Sequence, residues 1–210
     1  MDSKVFVMEN YTVAMSPPHS VTSQLFEYLL VVSPSAEVHK SVMEIKEYFS
    51  EKYKQTIASK TKPHITVANF LAKERMEDTL IRWMQRAVAE QEGFITQLNN
   101  YSGFPGHTIF LRVQDHDPFR ELAQRLKVIA SYIKEYNCPK PNFISNPHMS
   151  IARSLSKDVY EKAISEYARK DFAASFTVNE LVLLRKQYGN TYEKYKQLAV
   201  LHLKRKYSQH

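Results

Sequence analysis

The chain has 210 residues, enough for one large domain or two small lobes around a shared core, and 43% of them are hydrophobic, ample for a globular protein. Its one cysteine, Cys138, excludes an internal disulfide, no apolar run is long enough to span a bilayer, and the N-terminus lacks the apolar core of a signal peptide. These readings make a cytoplasmic location with no membrane contact the expectation, and a formal charge of +7 directs attention to phosphate-bearing partners.

Residues 1–22, with Ser16-Pro17-Pro18, read as an N-terminal extension. Residues 25–32 form an apolar strand. Ser33 as N-cap and Pro34 as first helical residue then open an amphipathic helix to about Tyr53, with its stripe at Val38, Val42, Ile45 and Phe49. A strand around His64 follows, then a helix over about 73–91 with Met76, Leu80, Trp83 and Ala87 on one face and Gly93 as its stop. Residues 94–101 are a strand, Gly103-Phe104-Pro105-Gly106 a turn, and residues 108–113 the strand that opens a second unit. Asp117 and Pro118 cap a helix with its stripe at Phe119, Leu122, Leu126, Ile129 and Ile133, and a proline-rich loop over 137–146 leads into a strand around His148. Ser156 caps a helix to about Arg169. Strands near 176–186 and 196–203, joined through Gly189-Asn190, close the chain as a hairpin, and residues 204–210 are a basic tail.

Two segments of this pattern say nearly the same thing. Pro63-His64-Ile65-Thr66-Val67 and Pro147-His148-Met149-Ser150-Ile151 each place a histidine and a hydroxyl residue two apart, which on a strand puts them on one face and the intervening apolar residues in the core. His39-Lys40-Ser41 has the same spacing but lies in a helical stretch, where residues two apart do not face each other. The two motifs are 84 residues apart, and the same step carries Phe26 onto Phe110, Pro34 onto Pro118 and Val42 onto Leu126. The chain therefore reads as a gapless duplication. The expected fold is α+β: two pseudo-symmetric lobes, each a mostly antiparallel sheet with flanking helices, around a central cleft. Its halves cover about 24–102 and 107–186, within a bilobal unit of 23–203.

The chemistry follows from what is present and what is missing. Two histidines lack a third ligand for a metal, and four glycines provide neither a phosphate-cradling loop nor a dinucleotide fingerprint, so no metal and no cofactor are expected. Cys138, alone in a loop, reads as a small hydrophobe rather than a nucleophile. What remains is acid–base catalysis on a phosphodiester: one imidazole takes a proton, the other gives one, and Thr66 and Ser150 donate to the non-bridging oxygens. Opposite the second half's Arg153 and Asn146, the step of 84 places Asn69 and Lys62, so the cleft should be electrostatically lopsided. Arg153 and Lys62 are candidates for phosphate contact, although Arg153 falls nominally on the face opposite Ser150. Phe70, Phe104, Phe143 and Tyr188 are candidates for base stacking. From Arg185 to Lys206 seven basic residues stand against one acid, interleaved with Tyr188, Tyr192, Tyr195 and Tyr207, a mixture suited to nucleic acid.

The paired motifs resemble the His-x-Thr/Ser signature of the two-histidine (2H) phosphoesterase superfamily, in its 2′-5′ RNA ligase and cyclic phosphodiesterase branch, over roughly residues 24–203. The resemblance implies two lobes flanking a cleft and metal-independent chemistry, with His64 and Thr66 as one half-site and His148 and Ser150 as the other. It also implies a basic residue near the position of Arg153. The expected activity is hydrolysis of a 2′,3′-cyclic phosphate on an RNA end or nucleotide by a monomer without an obligate protein partner. Two alternatives stay open: a 2′-5′ RNA ligase or 2′-5′ oligonucleotide phosphodiesterase, and a non-catalytic module that binds RNA ends.

Overall fold

The computed structural model describes residues 24–204. The extension read at 1–22 and the tail beyond Lys204 lie outside them. In chain order the elements are β1 (Leu25–Val32), α1 (Ala36–Tyr53), α2 (Thr56–Lys60), β2 (Ile65–Lys73), α3 (Glu77–Ala89), β3 (Phe94–Phe104), β4 (Thr108–Val113), α4 (Asp117–Leu126), α5 (Val128–Glu135), β5 (Asn142–Phe143), β6 (His148–Ala152), α6 (Lys157–Tyr167), β7 (Ala173–Val178), β8 (Glu180–Gln187) and β9 (Lys196–His202). Among the described residues no helix is long and apolar enough to cross a membrane.

The fold is the expected α+β, and the strands join in one curled antiparallel sheet ordered β7-β3-β4-β6-β2-β1-β8-β9, with β5 attached to β2. The centre of that order is a pseudo-two-fold: β6 matches β2, β4 matches β1, β3 matches β8 and β7 matches β9. The halves are not separate in the sheet. β3, from the first half of the sequence, pairs with β4 of the second, and β8 pairs with β1. The strand expected near 176–186 is two strands, β7 and β8, parted at Asn179 and pairing on opposite sides of the sheet.

The helices pack on the side of the sheet that buries Leu30, Ile65, Phe70, Met149 and Ile151, each at most 4% exposed. Burying side chains of this size contributes about 1.5–3 kcal/mol each. Two local expectations change. The N-cap of α1 is Ser35, whose hydroxyl accepts from the Val38 amide, because the helix starts two residues later than Pro34 suggested. The helix expected over 73–91, α3, is preceded by a 3-10 turn over Glu74–Met76 and buries Leu80, Met84 and Val88; Trp83 and Ala87 sit beside that stripe, half-buried.

The duplication is not gapless. Thr66 pairs with Val31 and Ser150 with Phe110, so the first strands match at a step of 79, not 84, and Phe26 is not the counterpart of Phe110. The second half spends five more residues between its first strand and its motif.

Candidate active site

β2 and β6 meet in a single residue pair, Ile65 with Met149, both wholly buried. In an antiparallel register this places His64 beside Ser150 and Thr66 beside His148, all four on the face opposite the core. Strands lie about 4.8 Å apart, so the quartet is a compact square of two imidazoles and two hydroxyls on opposite diagonals. The structure thus brings together the four residues that the motifs singled out.

Both rings are held the same way. His64 Nδ1 lies 2.8 Å from the carbonyl of Lys62, and His148 Nδ1 lies 2.9 Å from the carbonyl of Asn146. A carbonyl only accepts, so each Nδ1 carries the proton and each Nε2 is the atom left for the cleft. In both halves the anchor is the carbonyl two residues upstream.

Each strand bulges directly after its hydroxyl residue. In β2, Thr66 and Ala68 face the consecutive residues Val31 and Leu30, so Val67 is the extra residue; in β6, Ser150 and Ala152 face Phe110 and Ile109, so Ile151 is. An inserted residue reverses the alternation beyond it. That is how Arg153, three residues after Ser150, comes to line the cleft on Ser150's side.

The cleft has a volume of about 180 Å³, and besides the quartet its lining includes Lys46, Lys62, Arg153, Thr61, Thr108 and Phe104, together with Ile57 and Ala58 of α2. Among the described residues its lining carries Lys46, Lys62 and Arg153 and no carboxylate, which gives it positive charge. The two imidazoles differ in surroundings. The His148 ring is packed by Phe104 and Phe110, with each centroid 4.9 Å away, and this burial holds its pKa below the ordinary value against the pull of the Asn146 carbonyl. His64 is lowered first by burial and then by the positive Arg153 and Lys46 and by His148 when that ring is protonated, with the Lys62 carbonyl opposing.

Of the candidate contact residues, Lys62, Arg153 and Phe104 line the cleft. Phe70 does not: it is 4% exposed and stacks on Tyr28 at 5.0 Å on the core side, because the Val67 bulge turns it inward. Phe143 is half-buried against the core, drawn there by the pairing of β5 with Ala68, and Tyr188 stands exposed at the far end of β8; neither lines the cleft. Cys138 is buried away from it. Sequence reading passed over Lys46, Thr108 and Phe110. For Lys46 a signal existed, a lysine four residues after Val42 on the buried stripe of α1.

Three cations of the C-terminal basic run are paired with acids. Arg185 binds Glu74 and Glu77, Lys186 lies 3.1 Å from Glu27, and Lys196 lies 3.1 Å from Glu193. Tyr195 donates to Glu27 at 2.5 Å.

The fold is shared with solved structures. Escherichia coli LigT in apo form matches with a TM-score of 0.60 at 18% identity, over 87% of this chain and 99% of that one. LigT complexed with 3′-AMP matches with a TM-score of 0.58 at 18% identity, over 86% and 99%. TT0787 of Thermus thermophilus matches with a TM-score of 0.58 at 15% identity, over 86% and 100%. No curated protein matches the chain. The model of the 2′-5′ RNA ligase superfamily matches residues 32–190, a span that holds both histidine motifs, both bulges and Arg153, and the chain belongs to that superfamily.

Proposed function

We propose that the protein is a phosphodiesterase that hydrolyses 2′,3′-cyclic phosphates on RNA ends or nucleotides, using His64 and His148 for acid–base catalysis and no metal. The observation that carries this reading is the matched pair of imidazoles, each fixed through Nδ1 to the carbonyl two residues upstream and each leaving Nε2 to one cleft. The binding of 3′-AMP by LigT, which has the same fold, is consistent with it.

One neutral imidazole accepts a proton through Nε2 from a water molecule whose oxygen bonds to phosphorus. The other, protonated at Nε2, gives its proton to the ring oxygen that leaves. One P–O bond forms, one breaks, a water is consumed and a phosphomonoester results; the two rings end with their protonation exchanged and reset through solvent. Thr66 and Ser150 donate to the non-bridging oxygens where charge gathers, and Arg153 adds a positive charge at the same end.

Phosphorus NMR of the full chain with 2′,3′-cyclic nucleotides in EDTA, and then with a short RNA ending in a cyclic phosphate, tests this directly. A new phosphomonoester resonance is expected, and its position identifies which ester bond opens. Binding of these ligands without turnover would replace the reading with that of an RNA-end binding module.

A further inference from the structure

Lys46 occupies a core position of α1 and is only 2% exposed. Its ammonium ends beneath the cleft on three oxygens: Thr61 Oγ1 at 3.0 Å, the Ser150 carbonyl at 3.1 Å and the Ile151 carbonyl at 3.3 Å. The Thr61 hydroxyl spends its own proton on the Ala58 carbonyl at 3.2 Å, so toward Lys46 it accepts. Three acceptors require three N–H groups, which only the protonated ammonium has. Lys46 is therefore a buried cation. The charge that acts on it is Arg153, of the same sign, and among the described residues no carboxylate lines the cleft above it. Burying a cation without a counter-charge is costly unless something supplies one.

The other half of the molecule shows that this cost is avoidable. At the matching bulge the Val67 carbonyl accepts from the backbone amide of Ile144 at 2.9 Å, with no charge involved. The same hydrogen-bonding problem is solved by an amide behind Thr66 and by an ammonium behind Ser150. The difference is one positive charge placed at the end of the cleft that already holds Arg153.

We propose that Lys46 is a positioning residue of the anion site: from beneath, it holds the β6 bulge that turns Arg153 into the cleft, and it supplies fixed positive charge that a bound phosphate neutralises. The phosphodiester reading above names the anion; the buried charge and the bulge do not depend on it. With all its protons engaged, Lys46 does not touch the phosphate and acts through the electric field and through the backbone. Its neighbours of like charge, Arg153, Lys62 and the protonated form of His64, share the same end of the cleft. Burial and Arg153 push its pKa down to about 8, as expected of a cation waiting for an anion.

Inorganic phosphate titrated into the full chain, together with the imidazole titrations of His64 and His148 followed by NMR, distinguishes charge from scaffold. Lys46→Gln keeps two N–H donors for the bulge without charge, and Lys46→Met keeps the volume with neither. Lys46→Gln should bind phosphate about 5–10-fold more weakly. The pKa of its His64 should rise while that of His148 stays, because Lys46 acts on the first ring and not the second. Lys46→Met should bind more weakly still, as Arg153 loses its support. In the wild type, phosphate affinity should fall between pH of about 8 and about 9.5 as the ammonium titrates ahead of an ordinary lysine. That measurement reads the same charge if a variant does not fold. Unchanged phosphate affinity with an unchanged His64 titration in Lys46→Gln, or a flat wild-type affinity across that pH range, would overturn the proposal. Neither readout needs turnover, so an absence of cyclic phosphate hydrolysis would overturn the reaction and leave these couplings standing.

Discussion

Protonating either imidazole costs more in this cleft than in water, because Phe104 and Phe110 wall in His148 while burial, Arg153 and Lys46 act on His64. An ordinary histidine titrates near pH about 6.5. Both rings lie below that, so at neutral pH the free protein holds both neutral, whereas the proposed reaction needs one neutral and one charged. The profile of kcat/KM should therefore peak between the two lowered values, below pH about 6.5, and fall above it as the acid loses its proton. A bound phosphate raises both values, which moves the kcat optimum to higher pH. A kcat/KM optimum above pH about 7.5 would contradict the assignment of these rings as the acid–base pair. Replacing either histidine by alanine should cut turnover by about 10²–10⁴-fold without loss of fold, read by hydrolysis rate and a melting curve side by side. Phe104→Ala should raise the His148 pKa by letting water reach the ring, and should move the falling limb of the profile upward.

The elements carry the site through two bulges and one close approach. At Gly103, on β3 beside Phe104, an added Cβ would lie 2.5 Å from Tyr160 Oη of α6 and 3.0 Å from the Thr108 carbonyl. Gly103→Ala must displace the Tyr160 ring of α6 and crowd the Thr108 carbonyl of β4, and a shift of β3 to relieve that would carry Phe104 with it. The expected cost is about 1–3 kcal/mol in urea unfolding, accompanied by a drop in kcat/KM; wild-type values in both would show that β3 yields freely. Much at this scale was legible in the sequence. Apolar periodicity placed β1, α1 and β4, and the interval between the motifs placed the quartet. Periodicity reports which face a residue is on, however, and not which strand lies beside it. The exchange of β3 and β8 between halves, the split at Asn179 and the step of 79 in the first strands all depend on pairing partners far away in the chain. The bulges depend on register in the same way, so the orientation of Arg153 and the burial of Phe70 could not be read from alternation. Lys46 was legible in principle, as a charge on an apolar stripe, but the carbonyls that hold it are 104 and 105 residues away.

For the whole molecule the exchange of strands and the distribution of charge decide how a substrate is met. Because β3 completes the sheet of the second half and β8 that of the first, the cleft is framed by both halves on both sides, and its geometry is set by the entire sheet. The basic C-terminal run looked like a surface for nucleic acid, yet three of its cations are committed to Glu74, Glu77, Glu27 and Glu193. What faces the cleft is Arg153 and Lys62, with Lys46 behind them. Salt dependence separates these two pictures. Each phosphate neutralised on a single strand contributes about −0.7 to the slope of log K against log salt, so two cleft cations give a slope of about −1.4. A short RNA ending in a cyclic phosphate should therefore bind to the His64→Ala protein, whose turnover is slowed, with a slope between about −1 and −2. Lengthening the RNA should change that slope little, since three cations of the hairpin, Arg185, Lys186 and Lys196, are already paired with carboxylates. A slope of about −4 or steeper that grows with RNA length would place the strand along the hairpin, and a longer 2′-5′ or 3′-5′ oligonucleotide would then be the better substrate.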